Sequence, residues 1–193
     1  MPAFDQTLLR TERLTLRPLH ASDAPALFAI FSDRRVARYL SGPAWPDIGT
    51  AHEHIARHAT AMADGHYVCL GIERTRDGAL LGDCTLFNWV PQCRRAELGY
   101  ALGFDAWGQG YMGEALTALL AFGFAELALN RVEADIDPRN LASAKSLERL
   151  GFTQEGLLRE RWIVEGEVSD SGLYGLLACE WAAKSGAPGA LGG

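Results

Sequence analysis

Leu14 and Leu16 alternate with Arg13, Thr15 and Arg17, the two-residue period of a half-buried strand, and Pro18 closes it. The period then lengthens. Leu27, Ile30 and Phe31 recur at helical spacing, which predicts a helix from Ser22 to Phe31 with Ser22 as its cap. A loop, Ser41-Gly42-Pro43-Ala44-Trp45-Pro46, precedes a second helix from Thr50 to Ala63 that Gly65 ends. Tyr67–Glu73 and Leu80–Trp89 read as a hairpin around Thr75-Arg76-Asp77-Gly78, and Arg94–Leu102 is the next strand. Gly113–Leu127 is amphipathic and helical, Arg131–Ile136 a strand, and Asp137-Pro138-Arg139 a turn. Asn140–Leu150 sets Ala144, Leu147 and Leu150 on one helical face and stops at Gly151. Phe152–Val164 and Val168–Leu177 form a last strand pair joined at Glu165-Gly166-Glu167, and the Gly/Ala-rich tail Lys184–Gly193 is expected to be disordered.

This order implies an α/β (α+β) fold with a mixed, mostly antiparallel sheet and helices on both faces. The unit Arg94–Leu102, helix, Arg131–Ile136 makes one parallel strand pair, and open sheets of this kind bind ligands at the carboxyl ends of such strands. No repeat or linker divides the chain, so residues 1–183 are expected to form a single domain.

At that carboxyl end stands Trp107-Gly108-Gln109-Gly110-Tyr111-Met112-Gly113-Glu114-Ala115. Glycines let backbone N–H groups approach a ligand closely, and the first turn of a helix adds unpaired donors and the positive end of a dipole. The pattern fits a phosphate-bearing cofactor. Gly108, Gly110 and Gly113 also match the dinucleotide fingerprint, with Glu133 where a ribose-binding acid would sit. Three features oppose that reading. Gly103-Phe104-Asp105-Ala106-Trp107 separate the strand from the first glycine, the strand lacks the Val/Ile character of a doubly buried one, and about a hundred residues of different pattern come first. A P-loop is excluded, since no Gly-Lys-Ser/Thr follows.

Composition narrows little. A net charge of −6 argues against wholesale nucleic-acid binding and is compatible with a basic acceptor. Cys69, Cys84, Cys93 and Cys179 form no C-x-x-C pair, which suggests incidental thiols in a reducing compartment. The longest apolar run, Ala115–Leu129, is interrupted by Glu126 and too short to cross a bilayer, and the N-terminus does not read as a signal peptide. A cytoplasmic protein without membrane contact is expected, and monomer and homodimer both stay open. His54 and His58 have i, i+4 spacing with His52 nearby, but without an evident third ligand they read as a polar helix face, with no metal.

Four segments carry a resemblance to the GNAT superfamily of acetyl-CoA-dependent N-acetyltransferases, in its ribosomal-protein alanine acetyltransferase branch. They are Arg13–Leu19 with Asp23-Ala24, Ala96–Tyr100, Trp107–Ala115, and Asn130–Ala134 continuing through Pro138, Asn140, Ala142-Ser143, Leu147–Phe152 and Glu155-Gly156. Asp170, Leu173-Tyr174 and Glu180-Trp181 agree with the usual ending. One departure is Met112, where the family favours a small residue.

The resemblance implies that the parallel strands splay apart and that acetyl-CoA binds as co-substrate. Trp107, Gly108, Gln109, Gly110, Tyr111, Met112 and Gly113 would hold its pyrophosphate, and the backbone of Tyr100, Ala101 and Leu102 its pantetheine arm. It implies Asn140 as a pantetheine contact, Ser143 as proton donor to the leaving thiolate, and Glu97 as the base, acting directly or through an ordered water. Trp45 and Tyr174 are the candidates for substrate contact. The implied acceptor is a primary amine, either the N-terminal α-amine of a protein or a small molecule. A CoA-binding module without catalysis is the rival from another class.

Overall fold

Leu14 and Leu16 are fully buried, as their alternation demands, and the strand they form lies near one edge of a single sheet. The computed structural model describes residues 3–186. In chain order these form β1 (Leu9–Arg10), β2 (Leu14–Arg17), α1 (Ala24–Phe31), α2 (Arg34–Ala37), α3 (Ile48–Ala63), β3 (Val68–Arg74), β4 (Ala79–Val90) and β5 (Arg95–Leu102). Then come α4 (Tyr111–Ala125), β6 (Arg131–Ile136), α5 (Leu141–Leu150), β7 (Thr153–Val164), β8 (Glu167–Leu177) and α6 (Ala178–Ser185). The eight strands run β1-β2-β3-β4-β5-β6-β8-β7, antiparallel throughout except for β5 beside β6.

Cross-strand partners share a face, so register sorts the helices. A Cβ on Gly123 of α4 would meet Leu86, which pairs with Leu98, and Cys84 two residues on pairs with Tyr100. That face carries α4 and α5. Asp83 and Thr85 point the opposite way, where His54 of α3 reaches Asp83 and α1 packs on α3. The core is therefore two-layered about the sheet. Leu27 of α1 and Met62 of α3 fill one side, and Leu116, Leu119 and Leu120 of α4 with Leu147 of α5 fill the other.

Several boundaries move for identifiable reasons. Ser22 is exposed and caps nothing; Ala21–Asp23 is a 3-10 turn, and α1 starts after it. The buried Asp23 carboxylate accepts from the His20 amide at 2.7 Å and from both Arg17 guanidinium nitrogens at 2.8 and 2.9 Å. A buried carboxylate requires such pairing, and it fixes where the helix begins. Helix α3 starts at Ile48 because Asp47 accepts from the Thr50 amide at 3.2 Å. Helix α4 opens at Tyr111 and ends at Ala125, each two residues ahead of the expected position. Strand β1, helix α2 and helix α6 were not expected at all. Lys184 and Ser185 finish α6 rather than starting the tail, and residues 187–193 lie outside the described residues.

Candidate active site

Strands β5 and β6 pair only at Arg95↔Arg131, Ala96↔Val132 and Glu97↔Glu133. Beyond Glu97 they part. β5 follows β4 as far as Leu102↔Gly82, while β6 follows β8 as far as Ile136↔Gly172. The sheet thus has a wedge-shaped gap, and β5 residues 98–102 turn an unpaired edge into it. Such an edge can take an extended ligand as an added strand.

A cleft of about 940 Å³ passes through this gap. Its walls include Trp45, Phe87, Glu97, Tyr100, Asn140 and Ser143, with the loop 37–46 and the turn of the β7–β8 hairpin at its rim. Glu97 pairs with Phe87 and so points to the α3 face, whereas Tyr100, an odd number of residues along, points to the α5 face. There the Tyr100 hydroxyl meets Ser143 Oγ at 2.6 Å. Burial pushes the Tyr100 phenol up to about 12, and the Ser143 bond only partly offsets this. Asn140 caps α5 by accepting from the Ser143 amide at 3.1 Å, which fixes the serine in the first turn. The Glu97 carboxylate has no hydrogen-bond or ion-pair partner among the described residues. Arg95 and Arg131 are taken instead by Glu133, and Arg131 also by Glu155.

The glycine loop follows the carboxyl end of β5. Trp107 Nε1 donates to the Leu102 carbonyl at 2.8 Å, and Gln109 Nε2 to the Asp105 carbonyl at 2.7 Å. Gly110, at the N-cap of α4, has φ +79°, a conformation that costs a side-chain-bearing residue about 1–2 kcal/mol. From outside, Arg13 Nη1 donates to the Gln109 carbonyl at 3.0 Å, and Arg13 Nε holds Glu114 Oε2 at 2.6 Å. Burial would raise the Glu114 carboxyl, but the Thr11 hydroxyl and the Arg13 amide and guanidinium hold it below the usual range. The amides of Tyr111, Met112 and Gly113 occupy the first turn of α4, where no acceptor exists within the helix. Met112 packs against the core.

Five of the residues singled out in the sequence, Trp45, Glu97, Tyr100, Asn140 and Ser143, line this one cleft. Tyr174 does not. It is 5% exposed, paired with Ala134 in the β6–β8 ladder, and belongs to the core rather than to a substrate wall. Ala101, Leu102 and Trp107–Gly113 stand outside the cleft lining, at the end of β5.

Two features escaped the sequence reading. One is the Tyr100 side chain as partner of Ser143, for which the odd spacing from Glu97 was the available signal. The other is a cluster behind Trp45. His58, expected on a polar helix face, is buried, and His54 is half-buried against Asp83 at 3.2 Å; only His52 is exposed. Cys69 joins them, although the sequence offered no metal-like grouping. The reason is topological, since β3 passes directly under α3.

Residues 13–153 match the family described as the acetyltransferase (GNAT) domain. A Bacillus licheniformis protein, the uncharacterized N-acetyltransferase p20, is 37% identical over 175 residues, covering 90% of this chain and 98% of that one. The ribosomal protein uS5-alanine N-acetyltransferase of Escherichia coli is 26% identical over 181 residues, covering 90% and 92%. Among solved structures, a GNAT-family acetyltransferase from Bacillus anthracis superposes with TM-score 0.79 at 22% identity, covering 89% and 98%. The spermidine N-acetyltransferase of Vibrio cholerae, solved with CoA and spermine, gives TM-score 0.79 at 20%, covering 89% and 99%; both share the fold. The chain belongs to the GNAT acetyltransferase family. It is an N-acetyltransferase by that membership.

Proposed function

We propose that the protein transfers acetyl from acetyl-CoA to the N-terminal α-amine of a protein acceptor, by direct attack within a ternary complex. The observation that carries this reading is the gap between β5 and β6, with Glu97 on one face and the Tyr100–Ser143 pair on the other. Acetyl-CoA supplies an acyl group activated as a thioester. The amides of the glycine loop and the first turn of α4 suit its pyrophosphate, and the open edge of β5 suits its pantetheine arm.

Each face then has one proton to handle. Glu97 takes the proton from the amine, directly or through an ordered water. An α-amine with pKa near 8 is about a tenth neutral at pH 7, while a lysine near 10.4 is neutral in only about 4 molecules in 10,000, so a modest base serves the former. The Tyr100 hydroxyl, kept protonated by its raised pKa, and Ser143 deliver a proton to the departing sulfur.

A protein acceptor also suits the charges on the wall. Asp135 holds Arg161, and Asp137 and Glu167 hold Arg139, which leaves few free carboxylates for a polycation. Arg34 and Arg38 line the same cleft and can bind carbonyl or carboxylate groups beyond the first residue of a peptide. The alanine-directed activity named for the Escherichia coli relative points the same way. A small amine is the second reading, favoured by the spermidine enzyme among the structural neighbours. A single domain, a cytoplasmic location and a monomeric or dimeric state complete the proposal.

A screen of free-amine peptides, amine-blocked peptides and polyamines, read by the acetyl mass gain, tests it. Turnover on free N-termini is expected, with kcat lowered about 100-fold in Glu97→Gln. Turnover on polyamines alone would transfer the assignment to the small-amine reading, and CoA binding without turnover on any amine would make the protein a non-catalytic module.

A further inference from the structure

Behind the amine side of the cleft lies a group of side chains that acetyl transfer does not use. One ligand-capable atom from each of His54, His58 and Cys69 lies within 4.8 Å of the other two. His58 is 8% exposed and Cys69 1%, and neither makes a hydrogen bond to any described residue. His58 only packs, edge-on to His54 at 4.1 Å and stacked on Tyr67 at 4.6 Å.

We propose that His54, His58 and Cys69 bind a zinc ion, with Asp83 holding His54 from behind and solvent completing the tetrahedron. Two nitrogens and a sulfur suit Zn²⁺ and disfavour Mg²⁺ or Ca²⁺, which prefer oxygen. Asp83, 4% exposed, meets His54 Nε2 at 3.2 Å and has no other side-chain hydrogen bond among the described residues. That bond selects the tautomer with a free lone pair on Nδ1, the way carboxylates orient zinc-binding histidines.

Charge balances too. Cys69 releases its proton to solvent on binding, and the thiolate with the Asp83 carboxylate neutralises the dication inside the protein. Nitrogen at about 2.0 Å and sulfur at about 2.3 Å from zinc put ligand atoms roughly 3.3–3.5 Å apart, so binding draws the three together by at most about 1.5 Å.

The ion would fasten α3 to β3 and β4 and do no chemistry itself. Its effect on the cleft runs through stacking. His54 contacts Trp45 at 5.1 Å and Tyr67 contacts Phe87 at 6.2 Å, and both Trp45 and Phe87 line the amine side. The site stiffens the wall against which an acceptor lies.

Titration of metal-stripped protein with Co²⁺, followed by displacement with Zn²⁺, tests this. One equivalent of Co²⁺ is expected to give a thiolate charge-transfer band in the near ultraviolet and tetrahedral visible bands, both erased by Zn²⁺. The double variant Cys93→Ser/Cys179→Ser, at exposed thiols, should keep the band. Cys69→Ser should lose it, and Asp83→Asn should weaken the affinity about 10–100-fold. Absence of a stoichiometric band in the wild-type protein overturns the proposal, as does a band that survives Cys69→Ser and vanishes in the double variant. Should Cys69→Ser fail to fold by circular dichroism, the wild-type and double-variant titrations decide alone.

Discussion

The hydroxyl pair at 2.6 Å between Tyr100 and Ser143 joins two elements far apart in sequence at the point where a leaving sulfur would need a proton. A phenol with pKa near 12 keeps its proton through the working range of any enzyme, so Tyr100 itself should produce no fall in rate below about pH 11. On the proposed mechanism the two groups act as one donor, so Tyr100→Phe and Ser143→Ala are each expected to lower kcat by about 100-fold. The double variant should fall well short of the product of the two effects, as residues working as a unit do. Steady-state kinetics on the three variants measures this. The family motif pointed to Ser143, which the structure places in the cleft wall. The sequence singled out the Tyr100 backbone but not the contact of its side chain with Ser143, which depends on where the opposite helix is placed.

Helix α4 depends on a clamp from the other end of the chain. Thr11 and Arg13 hold Glu114 and Gln109, and so set the loop that leads into α4. Glu114→Gln removes the ion pair without changing shape. It is expected to raise KM for acetyl-CoA several-fold with little change in kcat, since binding rather than chemistry is loosened. The turn before α1 carries another ion pair, between the buried Asp23 and the half-buried Arg17. Burial alone would raise the Asp23 carboxyl, but Arg17 and the His20 amide outweigh it and hold the pKa below its ordinary value. A carboxyl depressed in the folded state contributes stability that is present above its unfolded pKa, near 3.9, and is lost as pH falls below that. Melting temperature should therefore drop below about pH 4 more steeply in the wild-type protein than in Asp23→Asn. That variant should itself cost about 1–3 kcal/mol at neutral pH, measured by urea unfolding, because the half-buried Arg17 keeps only Glu73 and the Pro18 carbonyl as partners among the described residues.

Taken whole, the molecule offers an opening through its sheet, and the proposed reaction would admit the amine from one face and release the thiol toward the other. Both substrates must be present together in such an arrangement, and nothing in it calls for a covalent acetyl-enzyme. Initial-velocity plots should intersect rather than run parallel, and intact-mass measurement after incubation with acetyl-CoA alone should find no acetylated enzyme. Most strands and the long helices could be read from local pattern, because burial on one side of a strand or helix leaves a period of two or of 3.6 in the residues themselves. So could the glycine loop, whose chemistry depends on the absence of side chains. Short pieces such as β1, α2 and α6 left no such period, and the Arg13–Glu114, Tyr100–Ser143 and His54–His58–Cys69 groupings left none either. Their members are brought together by strand order and by which face of the sheet each helix covers, and those are properties of contacts between distant segments that no local periodicity records.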